Sequence, residues 1–134
     1  MLKQISIFAE NKKGTMQKIT QILFQENINI LGSVNNDSAE YGIVRMIVSD
    51  PEKAKEALSA AGYMTRLTDV LGVEVVDEPG NLNALLVALL ESNINIDYIY
   101  LSFNRASGTP IMVFHAPDVY ETQACLRSKG FTVL

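Results

Sequence analysis

The sequence predicts an α+β fold made of two βαββαβ units in tandem, each an antiparallel sheet with two helices on one face. Three observations point to it. First, the chain repeats itself: Gln25-Glu26-Asn27-Ile28-Asn29-Ile30 returns as Glu91-Ser92-Asn93-Ile94-Asn95-Ile96. The repeat distance is about 66 residues, close to half the chain. Second, Gly14 and Gly80 stand at the same spacing, each just before an apolar-periodic stretch, and Gly62-Tyr63 returns as Gly130-Phe131. Third, each half alternates strand-type and helix-type runs in the same order. The predicted domains are therefore 1–67 and 68–134, joined through Thr68-Asp69 without a Gly/Ser- or Pro-rich linker.

In the first half, Ile5 to Ala9 is a β-type run that breaks at Glu10-Asn11-Lys12-Lys13-Gly14. Met16, Ile19, Ile22 and Leu23 then share one helix face, opposite Gln17, Lys18, Gln21 and Gln25. Asn29 to Asn35 reads as a second strand, Asn36 to Glu40 as a turn and Tyr41 to Val48 as a third strand. Asp50-Pro51 starts a helix, with Asp as N-cap and Pro in the first turn. Its apolar stripe is Ala54, Ala57, Leu58 and Ala61, and Gly62 stops it as the residue after the C-cap. Tyr63 to Leu67 is the fourth strand.

The second half repeats this order. Val70 to Val76 is a strand, and Asp77-Glu78-Pro79-Gly80 turns into a helix from about Asn81 to Glu91. Asp97 to Asn104 and Pro110 to Ala116 form a hairpin. Asp118 caps a helix with Glu121 in a capping-box arrangement, Gly130 ends it, and Phe131 to Leu134 is the last strand. The helix after Gly80 is apolar nearly all round, with Asn83 and Glu91 its interior polar positions. Two readings stay open for it: a richer core, or contact with a partner surface, either the other unit or a second chain.

Composition narrows the function classes. Eleven Lys+Arg against 15 Asp+Glu give a net charge of −4, no electrostatic footprint for nucleic acid or an anionic membrane. A single cysteine, Cys125, excludes an intrachain disulfide framework and a Cys-cluster metal site. The start of the chain has no signal-peptide pattern, and the apolar run Ala84 to Leu90 is too short to span a bilayer. A cytoplasmic protein is expected. Units this small need to pack against each other or against another copy, so a homodimer is expected as well.

The most specific chemical signal is the turn before each first helix. Asp77-Glu78-Pro79-Gly80-x-Leu82 sets an acid, a rigid Pro and a permissive Gly at a helix N-terminus, where unpaired N–H groups and the helix dipole suit a carboxylate. Asp77 is then placed to accept from an ammonium group. The first half has Asn11-Lys12-Lys13-Gly14-x-Met16, where Asn11 both accepts and donates. An ordinary capped turn uses the same residues for backbone reasons, so that reading stays open beside the ligand site.

These turns, the two Asn-Ile-Asn-Ile segments and the element order resemble the ACT domain, the small regulatory module of amino-acid metabolism. The resemblance covers the whole chain as a tandem pair of ferredoxin-like units. It implies that a free amino acid binds where the first loop of one unit faces the start of the second strand of a neighbouring unit. Carried onto this sequence, it implicates Asn11, Lys12, Lys13, Gly14, Thr15 and Met16, and Asp77, Glu78, Pro79, Gly80, Asn81 and Leu82. Their expected partners are Asn29, Ile30 and Leu31, and Asn95, Ile96 and Asp97. Two departures stand out: Lys13 replaces the Pro of the loop, and Ala9 and Val75 stand where some relatives carry His.

The expected function is a non-catalytic small-molecule sensor, an allosteric regulator of amino-acid metabolism that needs no cofactor and acts on a metabolic enzyme. The alternative is an orphan regulatory or structural subunit that binds such an enzyme without a working ligand site. No Ser/His/Asp or Cys/His arrangement, dinucleotide fingerprint or phosphate loop is present to support an enzyme. His115, the one histidine, reads as structural or hydrogen-bonded, and Cys125 as core. Tyr98 and Tyr100 share a strand face, with a pocket lining, a dimer seam and sheet packing all open.

Overall fold

A computed structural model describes residues 1–35 and 42–134. The predicted turn at 36–40, and Tyr41, lie outside the described residues. The elements are β1 (Leu2–Ala9), α1 (Thr15–Gln25), β2 (Ile30–Asn35), β3 (Gly42–Val48), α2 (Pro51–Ala60), β4 (Met64–Glu74), α3 (Asn81–Glu91), β5 (Tyr98–Phe103), β6 (Pro110–His115) and α4 (Val119–Ser128). They form two compact units, Lys3–Thr68 and, with Met1–Leu2, Asp69–Leu134. Both are α+β units of the ferredoxin-like type.

In the Lys3–Thr68 unit, β3 runs antiparallel to β1, with Ile5 opposite Met46 and Ile7 opposite Val44. On its other side β3 pairs with β2, whose register slips between Ile30 and Gly32, making a bulge at Leu31. Alternation along β1 sends Ile5 and Ile7 to the core, where they meet Ile19 and Leu23 of α1 and Ala54 and Leu58 of α2. All six are fully buried, worth about 1.5–3 kcal/mol for each large aliphatic side chain. The start of α2 is as expected: Asp50 Oδ1 accepts from the Lys53 N–H at 3.2 Å, and Pro51 sits in the first turn. Lys53 Nζ also donates to the Glu26 carbonyl at 2.8 Å, tying α2 to the end of α1.

In the Asp69–Leu134 unit, β6 runs antiparallel to β4, with Leu71 opposite Phe114, and to β5, with Tyr100 opposite Val113. Phe114 and Leu71 pack with Leu85 and Leu89 of α3 and Leu126 of α4. Asp118 caps α4 by accepting from the Glu121 N–H at 2.9 Å.

Each described helix stops in the same way. After α1, Asn27 takes a left-handed conformation (φ 57°), its N–H bonds the Phe24 carbonyl, and the Ile28 N–H bonds the Leu23 carbonyl. After α3, Asn93 (φ 55°), Leu90, Ile94 and Leu89 repeat the pattern. Gly62 and Gly130 do the same for α2 and α4. These are Schellman motifs, in which the following apolar residue packs back on the last turn. Ile28 and Leu23 are accordingly both in the first core, and Ile94 packs against the second beside Leu89. The most visible repeat in the sequence is therefore, in its first two residues, a helix stop.

Two expectations are corrected, and a choice left open is narrowed. The predicted strands Tyr63 to Leu67 and Val70 to Val76 are one strand, because Thr68 and Asp69 keep extended geometry despite their polarity. The final strand reduces to an isolated bridge, Val73 opposite Val133, held by Glu74 N–H to Thr132 O and Leu134 N–H to Gly72 O. The open choice concerns α3. Leu85, Ala88 and Leu89 face the sheet, whereas Leu82, Leu86, Val87 and Leu90 are 37 to 78% exposed. A helix lying on one sheet face has one stripe to bury, so this one is buried on one side within the chain and apolar outside it.

Candidate functional site

The two loops leading into α1 and α3 share one backbone plan. In the first, Lys12 N–H bonds the Glu10 carbonyl at 3.0 Å, Thr15 N–H bonds the Lys12 carbonyl at 3.2 Å, and Gly14 is left-handed at φ 88°. In the second, Glu78 N–H bonds the Val76 carbonyl at 2.8 Å, Asn81 N–H bonds the Glu78 carbonyl at 3.4 Å, and Gly80 stands at φ 89°. A Cβ at either glycine would meet nothing within 4 Å, so glycine is there for its torsion angle and not for space. No side chain caps the N-cap position of either helix.

The side chains differ. In the second loop the Asn81 carboxamide folds back, donating Nδ2 to the Val76 carbonyl at 2.5 Å and accepting the Leu82 N–H on Oδ1 at 2.5 Å. In the first loop the equivalent residue is Thr15, and the Met16 N–H has no such acceptor among the described residues. The first helix thus starts with more of its donor capacity open.

Cavities flank both loops. Beside the first, one of about 150 Å³ gathers Asn11, Lys12, Gly14, Thr15 and Met16 with Glu10, Gln17 and the start of β3. A second, of about 310 Å³, is lined by Lys12, Lys13, Gly14 and Thr15 together with Lys18, Glu10, Phe8 and Tyr63. Lys12 pairs with Glu10 at 3.2 Å, both mostly exposed, a contact of small energetic weight. Gly42 sets the wall of the smaller cavity: a Cβ there would stand 2.9 Å from the Ala9 carbonyl. Beside the second loop a cavity of about 370 Å³ is lined by Glu78 and Asn81, with Glu74, Val76, Thr109 and Phe131. Asp77, Pro79, Gly80 and Leu82 are exposed and do not line it.

The segments expected to face these loops have other work in their own units. The Asn29 backbone makes two hydrogen bonds to Ser49, its N–H donating to Ser49 Oγ and its carbonyl accepting from the Ser49 N–H, both 2.9 Å. Ile30 packs against the first core, Leu31 is the bulge residue of β2, and Ile96 packs against the second core. Asn95 is exposed. Asp97 Oδ2 lies 2.6 Å from His115 Nδ1, and its N–H bonds the His115 carbonyl. None of the six lines the three cavities. His115 is thus a hydrogen-bonded residue, stacked on Tyr98, which in turn stacks on Tyr100 at 6.4 Å. Cys125 is half-buried, its Sγ 3.1 Å from Ser92 Oγ.

Sequence reasoning missed Glu10, Lys18 and Tyr63 at the first loop and Glu74, Thr109 and Phe131 at the second. Lys18 was within reach, since it lies one helical turn beyond Gly14 on the exposed side. Glu10 adjoins Asn11 in the same loop, whereas Glu74 at the end of β4 and the loop residues Tyr63, Thr109 and Phe131 are brought in by the fold. No described helix is long and apolar enough to cross a membrane.

Comparison with known proteins agrees with this architecture. The profile of the family described as an ACT domain pair matches residues 1–130. A crystal structure of a Bacteroides thetaiotaomicron protein is 34% identical, with a TM-score of 0.89 over 99% of this chain and 91% of that one. The regulatory subunit of aspartate kinase from Thermus thermophilus, in its ligand-free form, shares the fold at 20% identity and a TM-score of 0.70, covering 96% of this chain and 91% of that one. Its counterpart from Thermus flavus does so at 20% identity and a TM-score of 0.64, covering 95% and 90%. No curated protein shows a significant match. Repeat, fold and family profile converge: this chain belongs to the ACT domain pair family.

Proposed function

We propose that the protein is a non-catalytic sensor that binds a free amino acid at the first loop of an ACT unit and regulates amino-acid metabolism. The observation that carries this reading is the pair of uncapped, glycine-started helices, each with a cavity beside its first turn. Backbone N–H groups at such a turn complement a carboxylate. Asn11 in the first loop and Asp77 in the second supply acceptors for an α-amino group. The second-strand segments Asn29 to Leu31 and Asn95 to Asp97 belong to the surface with which a neighbouring unit closes over the ligand. A ligand touching two units stabilises the arrangement that brings them together, and this differential contact is what regulation requires.

Homodimerisation, a metabolic enzyme as target and a cytoplasmic location complete the proposal. The exposed apolar stripe of α3 (Leu82, Leu86, Val87 and Leu90) supports association with a further protein surface. Likeness to the Thermus regulatory subunits is a likeness of fold, and it fits a regulator without naming its target.

Calorimetry and thermal-shift assays against each of the twenty amino acids test the reading. At least one is expected to bind and raise the melting temperature. No heat and no shift for any of them would remove the sensor function and leave the subunit role, which co-purification with an enzyme in the absence of amino acid would support.

A further inference from the structure

We infer that the first loop takes an amino acid with an anionic side chain, an inference resting on the sensor reading above and adding ligand class to it. The ground is the 310 Å³ cavity and its charge. Lys12, Lys13 and Lys18 line it against a single acid, Glu10, which is already paired with Lys12. Neither Lys13 nor Lys18 has a carboxylate partner among the described residues, so the lining carries an uncompensated positive charge of two.

The same place in the second unit provides the internal contrast. Its backbone is the same, with Gly80 at φ 89° against Gly14 at φ 88°, yet its cavity is lined by Glu74 and Glu78 and by no lysine or arginine. Glu74 is engaged by Asn104 Nδ2 at 3.2 Å; Glu78 stands exposed at the rim. Matching backbones thus carry opposite charges, and the first, whose helix start has no counterpart of the Asn81–Leu82 bond, is the one that suits an anionic ligand. A chain with an overall charge of −4 has no general reason to gather three lysines around one cavity.

The two cavities of the first loop divide the ligand between them. Asn11 lines only the smaller, where it meets the α-amino end; Lys13 and Lys18 line only the larger, where the side-chain carboxylate lies; Gly14 and Thr15 border both. Tyr63 and Phe8 lend the larger cavity apolar wall against which the ligand's methylene groups pack.

Aspartate and glutamate, each compared with its isosteric amide asparagine or glutamine at fixed ionic strength, read the charge preference directly. The acids are expected to bind about tenfold or more tightly than the amides, and rising salt should narrow the gap. The Lys13→Gln, Lys18→Gln double variant should lose about tenfold in affinity for aspartate while changing asparagine less than about twofold. Lys55→Glu, on the exposed face of α2 and away from the cavities, carries the same two-unit charge change and should leave aspartate binding within about twofold. Amides binding as tightly as acids, or aspartate affinity surviving the double variant, overturns this inference and leaves the sensor reading standing. Absence of binding by every amino acid overturns both.

Discussion

The segments 12–28 and 78–94 are the same piece of backbone used for different surfaces. Each enters an eleven-residue helix through a left-handed glycine and leaves it through a left-handed asparagine. Each buries one large aliphatic side chain completely at the same helical position, Ile19 in α1 and Leu85 in α3. Around that frame the loops and much of the outward face have diverged. The first loop is lysine-rich and its helix shows Gln17, Lys18 and Gln21 outward; the second is acid-rich and its helix shows Leu82, Leu86 and Val87. Some outward positions agree: Gln17 and Asn83 are both exposed carboxamides, and Phe24 and Leu90 are 81% and 78% exposed. The torsion-bearing residues are held by geometry, whereas the outward side chains answer only to what they meet in solution.

Removing what the two segments share should therefore have equal effects in both halves. Ile19→Ala and Leu85→Ala should each cost about 2–5 kcal/mol in chemical denaturation, because both leave a cavity in a fully closed core. A small loss in either would mean that its core can collapse around the change. The helix stops come next. Asn27→Ala and Asn93→Ala should each cost about 1–2 kcal/mol by placing a Cβ-bearing residue without a local polar side chain in the left-handed region, and Asn→Gly at the same positions should cost nothing or stabilise. Equal losses for Ala and Gly would show that the asparagine side chains, and not their torsion angles, are what matters.

The smallest effects belong to what differs. Leu86→Gln on α3 and Thr20→Gln at the matching position of α1 should change the stability of the isolated chain by about 0.5 kcal/mol or less. The sharper readout is association. Leu86→Gln should weaken self-association in analytical ultracentrifugation if the α3 stripe forms the homodimer surface, and Thr20→Gln should not.

Much of this architecture is local chemistry, and that part was legible. Asp50-Pro51, Asp118, Gly62 and Gly130 act within one helical turn of themselves, so their roles follow from neighbours in sequence. The same is true of the glycine starts at 14 and 80. The Asn-Ile-Asn-Ile repeat is visible in the sequence, but its place before a strand hides its first role: Asn27 and Asn93 act backward, on the helix. The continuity of β4 through Thr68-Asp69 was not legible, because a polar pair reads as a break unless pairing partners are known. Nor was Gln4, fully buried with its Nε2 3.5 Å from Ser6 Oγ, since nothing local sets a glutamine inside. At the site, Asn11 to Thr15 came from local pattern, while Tyr63 and Glu74 required the sheet to form first.

Amide NMR of the isotopically labelled chain, titrated with aspartate, tests the central claim most directly, because it reports binding and place together. The account predicts saturable shifts concentrated at Asn11 to Lys18, with the Met16 and Gln17 amides moving most, and weaker changes at Gly80 to Leu82. Saturable shifts spread elsewhere, or no shifts with aspartate or any other amino acid, would contradict it.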